Sequence, residues 1–294
     1  MRIVSCDLMG GLGNQLFQIF TTLAYCFENQ FKCVFPYSEI LHVGVPRPTY
    51  WHTLLNSLRF FTTNNGENRY TNEALATFPK YREPAFGYKR IPSFLEPQYH
   101  SLFELTLFGY YQSYKYFASM DRMLFSLIGL TEQLSDIQTE YASLFTANCL
   151  ISMHFRLGDY KYKTSHHPIM SYEYYKNALD YVVSNQSPGS QTIRVLYFCE
   201  QEDNDYVSGM IDQLRELYKK VEFQKVDDKI VDWKQLLIMS SCHHNIIANS
   251  SFSWWGAYFN QLSSKIVCYP SVWFGPGMGN VNTDDLFPPS WYKI

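Results

Sequence analysis

Arg2-Ile3-Val4-Ser5-Cys6-Asp7-Leu8-Met9-Gly10-Gly11-Leu12-Gly13-Asn14-Gln15-Leu16-Phe17-Gln18-Ile19-Phe20 opens the chain after Met1, and its two halves follow different periods. Residues 2–8 form an apolar run of strand length. After the glycines at 10–13, Leu16, Phe17, Ile19, Phe20, Leu23, Ala24 and Phe27 recur at helical spacing. Residues 31–35 read as a strand again, so the segment predicts a β–α–β unit and therefore a parallel sheet.

Beyond residue 36 the pattern is interrupted by Pro46, Pro48, Pro79, Pro84, Pro92 and Pro97, with a turn at Asn64-Asn65-Gly66, and no element order is assigned up to about residue 100. Residues 105–111 predict a strand and 113–130 a helix, and the polar stretch 131–142 is expected to join two domains. From Cys149 the alternation is regular. Strands are predicted at 149–155, 193–199, 221–226, 245–248 and 265–269, and helices at 171–183, 204–219, 231–241 and 252–261. Strict alternation means a doubly wound α/β domain, in which ligands bind outside the carboxyl ends of the strands. The loops at 156–170, 200–203, 227–230 and 249–251 are thus expected to converge on one crevice. Residues 273–294, with Gly275-Pro276-Gly277-Met278-Gly279 and Pro288-Pro289, read as a tail packed over the domains.

Composition narrows the function. With 24 basic and 27 acidic side chains in 294 residues the net charge is −3, which argues against nucleic acid and anionic membranes as partners. Apolar residues at 46% exclude a disordered chain, and no uncharged apolar run reaches the ~18 residues that a transmembrane helix needs. The amino-terminal residues lack a secretory leader, so a cytoplasmic location is expected. The seven cysteines include no CxxC pair and mostly sit in apolar runs, and they are expected to be buried thiols. The 24 Tyr and 22 Phe are expected mainly as core, with flat platforms for sugars or bases as the alternative.

Three constellations carry chemistry. Gly10-Gly11-Leu12-Gly13-Asn14-Gln15 joins a strand to a helix start, which suits a phosphate or serves only as a tight turn. It is not a dinucleotide fingerprint, because Leu16 occupies the third glycine position and no acid follows the next strand; a P-loop is absent as well. His154-Phe155-Arg156-Leu157-Gly158-Asp159-Tyr160 ends a predicted strand. Arg156 there can grip a phosphate through two parallel bonds or pair with Asp159 to pin the loop. Asn249-Ser250-Ser251-Phe252-Ser253-Trp254-Trp255-Gly256 starts a helix and offers hydroxyls and N–H groups to an anion, or ordinary capping. His166-His167 has no third ligand placed by spacing, and Asp203-Asn204-Asp205, which resembles a D-x-D metal clamp, reads better as a solvated helix start, so no metal is expected.

Taken in order, these three motifs with Gly109-Tyr110-Tyr111-Gln112-Ser113 and the run from Cys242 to Ala257 resemble the alpha-1,2-fucosyltransferases of glycosyltransferase family 11, from residue 3 to about 292. The resemblance implies a GT-B arrangement, two Rossmann-like doubly wound domains facing a central cleft. They would comprise an acceptor-side domain at 1–140, a GDP-sugar-binding domain at 141–275 and a tail at 276–294. It further implies inverting transfer of L-fucose from GDP-fucose to a hydroxyl of an oligosaccharide or glycan acceptor, most readily alpha-1,2 to a terminal galactose-like sugar, without a metal. Carried over, Arg156 contacts the donor diphosphate with His154 beside it, and Asp159 is the candidate base or the orienter of Arg156. Gly11, Gly13, Asn14 and Gln15, with His244, Asn249, Ser250, Ser251 and Phe252, complete the donor site. Two positions depart from the family: Leu157 stands where most relatives have a second arginine, and Gln235 where they have an acid. A GT-B transferase of another nucleotide sugar is the rival enzyme. A non-enzymatic carbohydrate-binding protein is the rival from another class, although it has no use for two phosphate-ready helix starts.

Overall fold

The computed structural model describes residues 2–93, 96, 101–185 and 192–294. They form two compact units, Met1–Thr131 with Asn282–Pro288, and Glu132–Val281 with Pro289–Ile294. The division falls at Thr131 and not at residue 140, and the closing residues are shared between the units. Leu286 and Phe287 are buried in the first unit, and Trp291 packs on Trp254 in the second, 5.4 Å between ring centres.

In the first unit β1 (Ile3–Cys6), α1 (Leu12–Asn29) and β2 (Lys32–Cys33) realise the expected β–α–β unit. A hairpin follows, β3 (Ile40–Leu41) with β4 (Arg47–Pro48), then a short helix α2 (Asn72–Ala76), and the strands β5 (Lys80–Arg82) and β6 (Glu104–Phe108). The sheet order is β2-β1-β6-β5, parallel throughout. α1 is buried from Leu12 to Cys26 except at half-buried Asn14, as expected of a helix that is apolar nearly all round.

The expected helix at 113–130 is instead two single 3-10 turns and a short helix, α3 (Asp121–Leu127), ended by Gly129 in the left-handed region. The expected linker at 131–142 is mostly helix, α4 (Leu130–Glu140). Its composition is polar, but Leu130, Leu134 and Ile137 fall one turn apart, and Leu130 and Ile137 are buried.

The second unit runs β7 (Cys149–His154), α5 (Tyr172–Ser184), β8 (Ile193–Phe198), α6 (Asn204–Leu217), β9 (Val221–Lys225), α7 (Asp232–Ser240), β10 (His244–Ile246), α8 (Ser251–Tyr258), β11 (Val267–Tyr269) and β12 (Tyr292–Lys293). The sheet is parallel in the order β12-β11-β10-β7-β8-β9. Counted from β7 this is the doubly wound order 3-2-1-4-5-6, with the chain reversing direction across the sheet between β7 and β10. Ile151, Met153, Phe155, Tyr175, Leu179 and Val195 form the centre of its core. All seven cysteines are buried free thiols, and among the described residues no helix is long and apolar enough to cross a membrane.

Candidate donor-binding site

The reversal between β7 and β10 opens a crevice outside their carboxyl ends, and two of the three constellations hang there. β7 ends on His154, which leads directly into Arg156, and β10 leads through Ile247 and Ala248 into Asn249.

Arg156 is only 19% exposed, and two carboxylates hold it. One terminal nitrogen bonds Asp159 and the other bonds Glu200, the second residue beyond β8. Its guanidinium lies 4.9 Å from the centre of the Tyr160 ring. That ring stacks on His167 at 4.6 Å, and its hydroxyl donates to the Asn249 carbonyl at 3.2 Å. Tyr160 thus ties the β7 loop to the β10 loop. Glu200 fits because Gly158 has φ +41 and no side chain; a Cβ there would lie 2.6 Å from Glu200 Oε2. The Gly158 N–H donates to buried Asp203 at 2.8 Å, and Asp203 also faces Lys161.

His154 is buried with its ring 5.6 Å from that of Phe252, and its Nδ1 has no hydrogen-bond partner among the described residues. Burial, with the charge of Arg156 adding to it, pushes its pKa down to about 3. The ring is therefore neutral at ordinary pH and a poor proton acceptor. Ser250 caps α8, accepting from the Phe252 N–H at 3.3 Å, and Ser251 begins the helix, so its first turn opens on the crevice.

Two of the residues expected at the donor make structural ties within the fold. Asn249 is buried, and its Nδ2 donates to the carbonyls of Pro168 at 2.9 Å and Trp273 at 3.2 Å. His244 begins β10, at the strand end remote from the crevice, and its Nδ1 accepts from the Ile266 N–H at 3.0 Å. The carbonyl end of a strand and its amino end are indistinguishable as neighbours in a motif.

In the first unit the glycine turn follows β1, and β1 lies between β2 and β6, a second reversal of strand order. Gly10 needs φ +76 and has no room for a side chain, since a Cβ would lie 2.5 Å from Asn14 Nδ2. Gly11 caps α1 without a side chain, which leaves Gly13 and Asn14 in the first turn. Asn14 Oδ1 accepts from Gln112 Nε2 at 2.8 Å. Gln15 points inward, fully buried, and donates to the carbonyls of Gly10 at 3.0 Å and Pro48 at 2.9 Å. It fastens the hairpin to the turn.

Glu200, Glu202 and Asp203 offer carboxylate oxygens within 4.8 Å of one another. Two of the three already face cations, Arg156 and Lys161. Of the residues that motif reading left without a role, Glu200 was findable: it follows a strand directly, in the loop 200–203 singled out for chemistry. Of the departures, Leu157 is buried in the core, and Gln235 Nε2 donates to the Ile230 carbonyl at 2.7 Å.

An O-antigen biosynthesis glycosyltransferase, WbnK, of Escherichia coli is 29% identical over 64% of this chain, a match that spans only 60% of that protein. An alpha-1,2-colitosyltransferase of Escherichia coli is 24% identical over 100% of this chain and 99% of its own. A galactoside 2-alpha-L-fucosyltransferase of Caenorhabditis elegans is 25% identical over 70% of this chain and 59% of its own. Among solved structures, a mutant of Arabidopsis thaliana FUT1 in complex with GDP superimposes with a TM-score of 0.51 at 10% identity, covering 98% of this chain and 74% of that one. The fold is thus the expected GT-B type of α/β protein. The sequence model of glycosyl transferase family 11 matches residues 58–292, which carry the Arg156 and Ser250 loops, and the chain belongs to that family of glycosyltransferases.

Proposed function

We propose that the chain transfers L-fucose from GDP-β-L-fucose to a hydroxyl of a glycan acceptor, forming an alpha-1,2 link to a terminal galactose-like sugar with inversion and without a metal. The observation that carries this reading is the Arg156 loop and the amino end of α8 side by side at the strand reversal of the second unit.

Breaking the bond between fucose and phosphate leaves the electron pair on the GDP oxygen and oxocarbenium-like charge on the sugar. Positive charge fixed in advance at the leaving phosphate lowers that barrier. Arg156 and the first-turn N–H groups of α8 supply it, with Ser251 at the first helical position. Asp159 and Glu200 orient the guanidinium, and the attacking hydroxyl gives up its proton as the new bond forms, with Asp159 as the candidate acceptor. His154, neutral, serves as a hydrogen-bonding wall beside Phe252. Gly13 and Asn14, in the first turn of α1, are by the family resemblance residues that meet the donor.

A second reading concerns the donor. The relative that aligns with the whole chain is a colitosyltransferase, and colitose is the 3-deoxy analogue of fucose, so GDP-colitose is the competing donor.

Calorimetry with GDP-fucose, GDP-colitose and GDP-mannose in EDTA tests both readings. GDP-fucose is expected to bind most tightly, at micromolar level, about −8 kcal/mol. Tighter GDP-colitose binding transfers the assignment to the 3-deoxy sugar, and binding that disappears in EDTA ends the metal-free mechanism. Arg156→Ala is expected to reduce turnover by at least ~10²-fold, the scale of losing one fixed charge donor. Arg156→Lys restores little of it, because an ammonium cannot span Asp159, Glu200 and a phosphate. Full activity in the alanine variant is incompatible with the proposal.

A further inference from the structure

The turn after β6 has no part in the mechanism above, yet backbone strain collects there. Tyr111 stands at φ 51, in the left-handed region. A non-glycine residue holds such a conformation at about 1–3 kcal/mol, and only where its surroundings impose it. Glu83, the residue after β5, imposes it. Its Oε2 accepts from the Tyr110 N–H at 2.8 Å and the Tyr111 N–H at 3.0 Å. The Tyr111 ring is buried, and its hydroxyl donates to the Tyr81 carbonyl at 3.3 Å. Gly109 leaves the necessary space, since a Cβ there would lie 2.4 Å from Glu83 Cβ. Burial raises the pKa of the Glu83 carboxyl, while the two N–H bonds lower it.

The product of this bend is the reach of the next side chain. Gln112 crosses the carboxyl end of the sheet and donates from Nε2 to Asn14 Oδ1 at 2.8 Å. An amide has two unlike ends, so a donor delivered to Oδ1 determines which way the group faces. Asn14 Nδ2 accordingly lies on the Gly10 side of the turn.

We propose that Glu83 is a positioning residue for the donor: through the backbone of Tyr110 and Tyr111 and the side chain of Gln112 it fixes the amide of Asn14 at the start of α1. The inference rests on the reading that Asn14 meets GDP-fucose. A half-buried carboxylate, a strained tyrosine, a glycine with no room for a side chain and a side-chain amide pair then form one chain of cause.

The test is a double-mutant cycle in GDP-fucose affinity, measured by calorimetry. Glu83→Ala and Gln112→Ala are each expected to weaken binding about tenfold, the scale of one hydrogen bond to a charged group. The double variant is expected to lose no more than the worse single one. Glu83→Gln keeps an oxygen that accepts both N–H groups, and it is expected to restore affinity to within about twofold of the parent. Penalties that multiply to about 100-fold in the double variant overturn the proposal, because independent sites behave that way. Unchanged affinity in Glu83→Ala overturns it as well. Should Glu83→Ala not fold, Gln112→Ala paired with Asn14→Ala carries the same comparison. A ligand-free readout keeps the relay distinct from the donor assignment. The Asn14 side-chain amide resonance, identified by its loss in Asn14→Ala, is expected to shift in Glu83→Ala and return in Glu83→Gln. If the parent protein binds no GDP-fucose, the donor reading fails while that resonance still decides the relay.

Discussion

His154 and His244 sit in different surroundings and have the same consequence for stability. Burial pushes His244 down to about 4, with the neighbouring His243 adding to it, and His154 down to about 3, from an ordinary 6.5. In the unfolded chain both rings take up protons as the pH falls through 6.5, while in the folded chain they refuse them until about 4 and 3. The unfolded state then binds more protons, so stability drops with falling pH across that window. Each fully linked proton contributes a slope of about 1.4 kcal/mol per pH unit. Urea midpoints at pH 7, 5.5 and 4.5 are expected to fall in that order. His244→Asn, whose Oδ1 can accept the Ile266 N–H in place of Nδ1, is expected to flatten part of the fall. Midpoints independent of pH would show that the rings are not held neutral. None of this is visible in the string His243-His244, because burial is set by the packing around β10 and not by the neighbours in sequence.

Among the elements, the α/β rhythm of the second unit is the most legible, because the strands and helices from β7 to α8 carry clear apolar periodicity. The segments that escaped were those in which short-range patterning is weak. Residues 113–130 contain aromatic residues that are buried by tertiary contact, not by helical spacing: Tyr116 is buried from within a 3-10 turn and Phe117 from the junction between two such turns. α4 hid behind its polar composition. The 275–279 strap illustrates an element held by close approach. Gly275 N–H donates to the His166 carbonyl at 2.8 Å and Gly277 N–H to the Ser165 carbonyl at 2.7 Å. A Cβ on Gly275 would lie 2.3 Å from the Ser165 carbonyl oxygen, a backbone atom that cannot turn aside. The strap also carries Phe274 against His167, which is stacked on Tyr160 beneath Arg156. Gly275→Ala is therefore expected to lose about 1–3 kcal/mol in denaturant unfolding, the range of an overpacked site. Gly279, where an added Cβ meets nothing within 4 Å, lies in the same strap, though its φ of +69 makes Gly279→Ala a test of backbone conformation alone. Equal losses at the two positions would remove close approach as the cause.

Considered whole, the protein gains stability from any ligand that binds its native form alone. At a GDP-fucose concentration 100 times Kd the added stability is about 2.7 kcal/mol. Thermal unfolding with saturating GDP-fucose and EDTA is expected to shift upward in the parent and to shift much less in Arg156→Ala. An equal shift in both would move the diphosphate away from Arg156.

The β–α–β start of the first unit, the order of strands and helices in the second, the apolar faces they bury and the identity of the three candidate loops follow from local rules, since periodicity and glycine position act within a few residues. The family resemblance likewise rests on short motifs read in order. What local rules cannot contain is strand order across a sheet. The placement of β7 beside β10 brings the Arg156 and Ser250 loops to one crevice, adds Glu200 from the end of β8, and sends His244 to the opposite end of its strand. The same holds for Glu83, Tyr111, Gln112 and Asn14, which are distant in sequence and joined only because β5, β6 and β1 end side by side. Hydrogen bonds between loops depend on where the sheet delivers them, and that is a property of the folded chain.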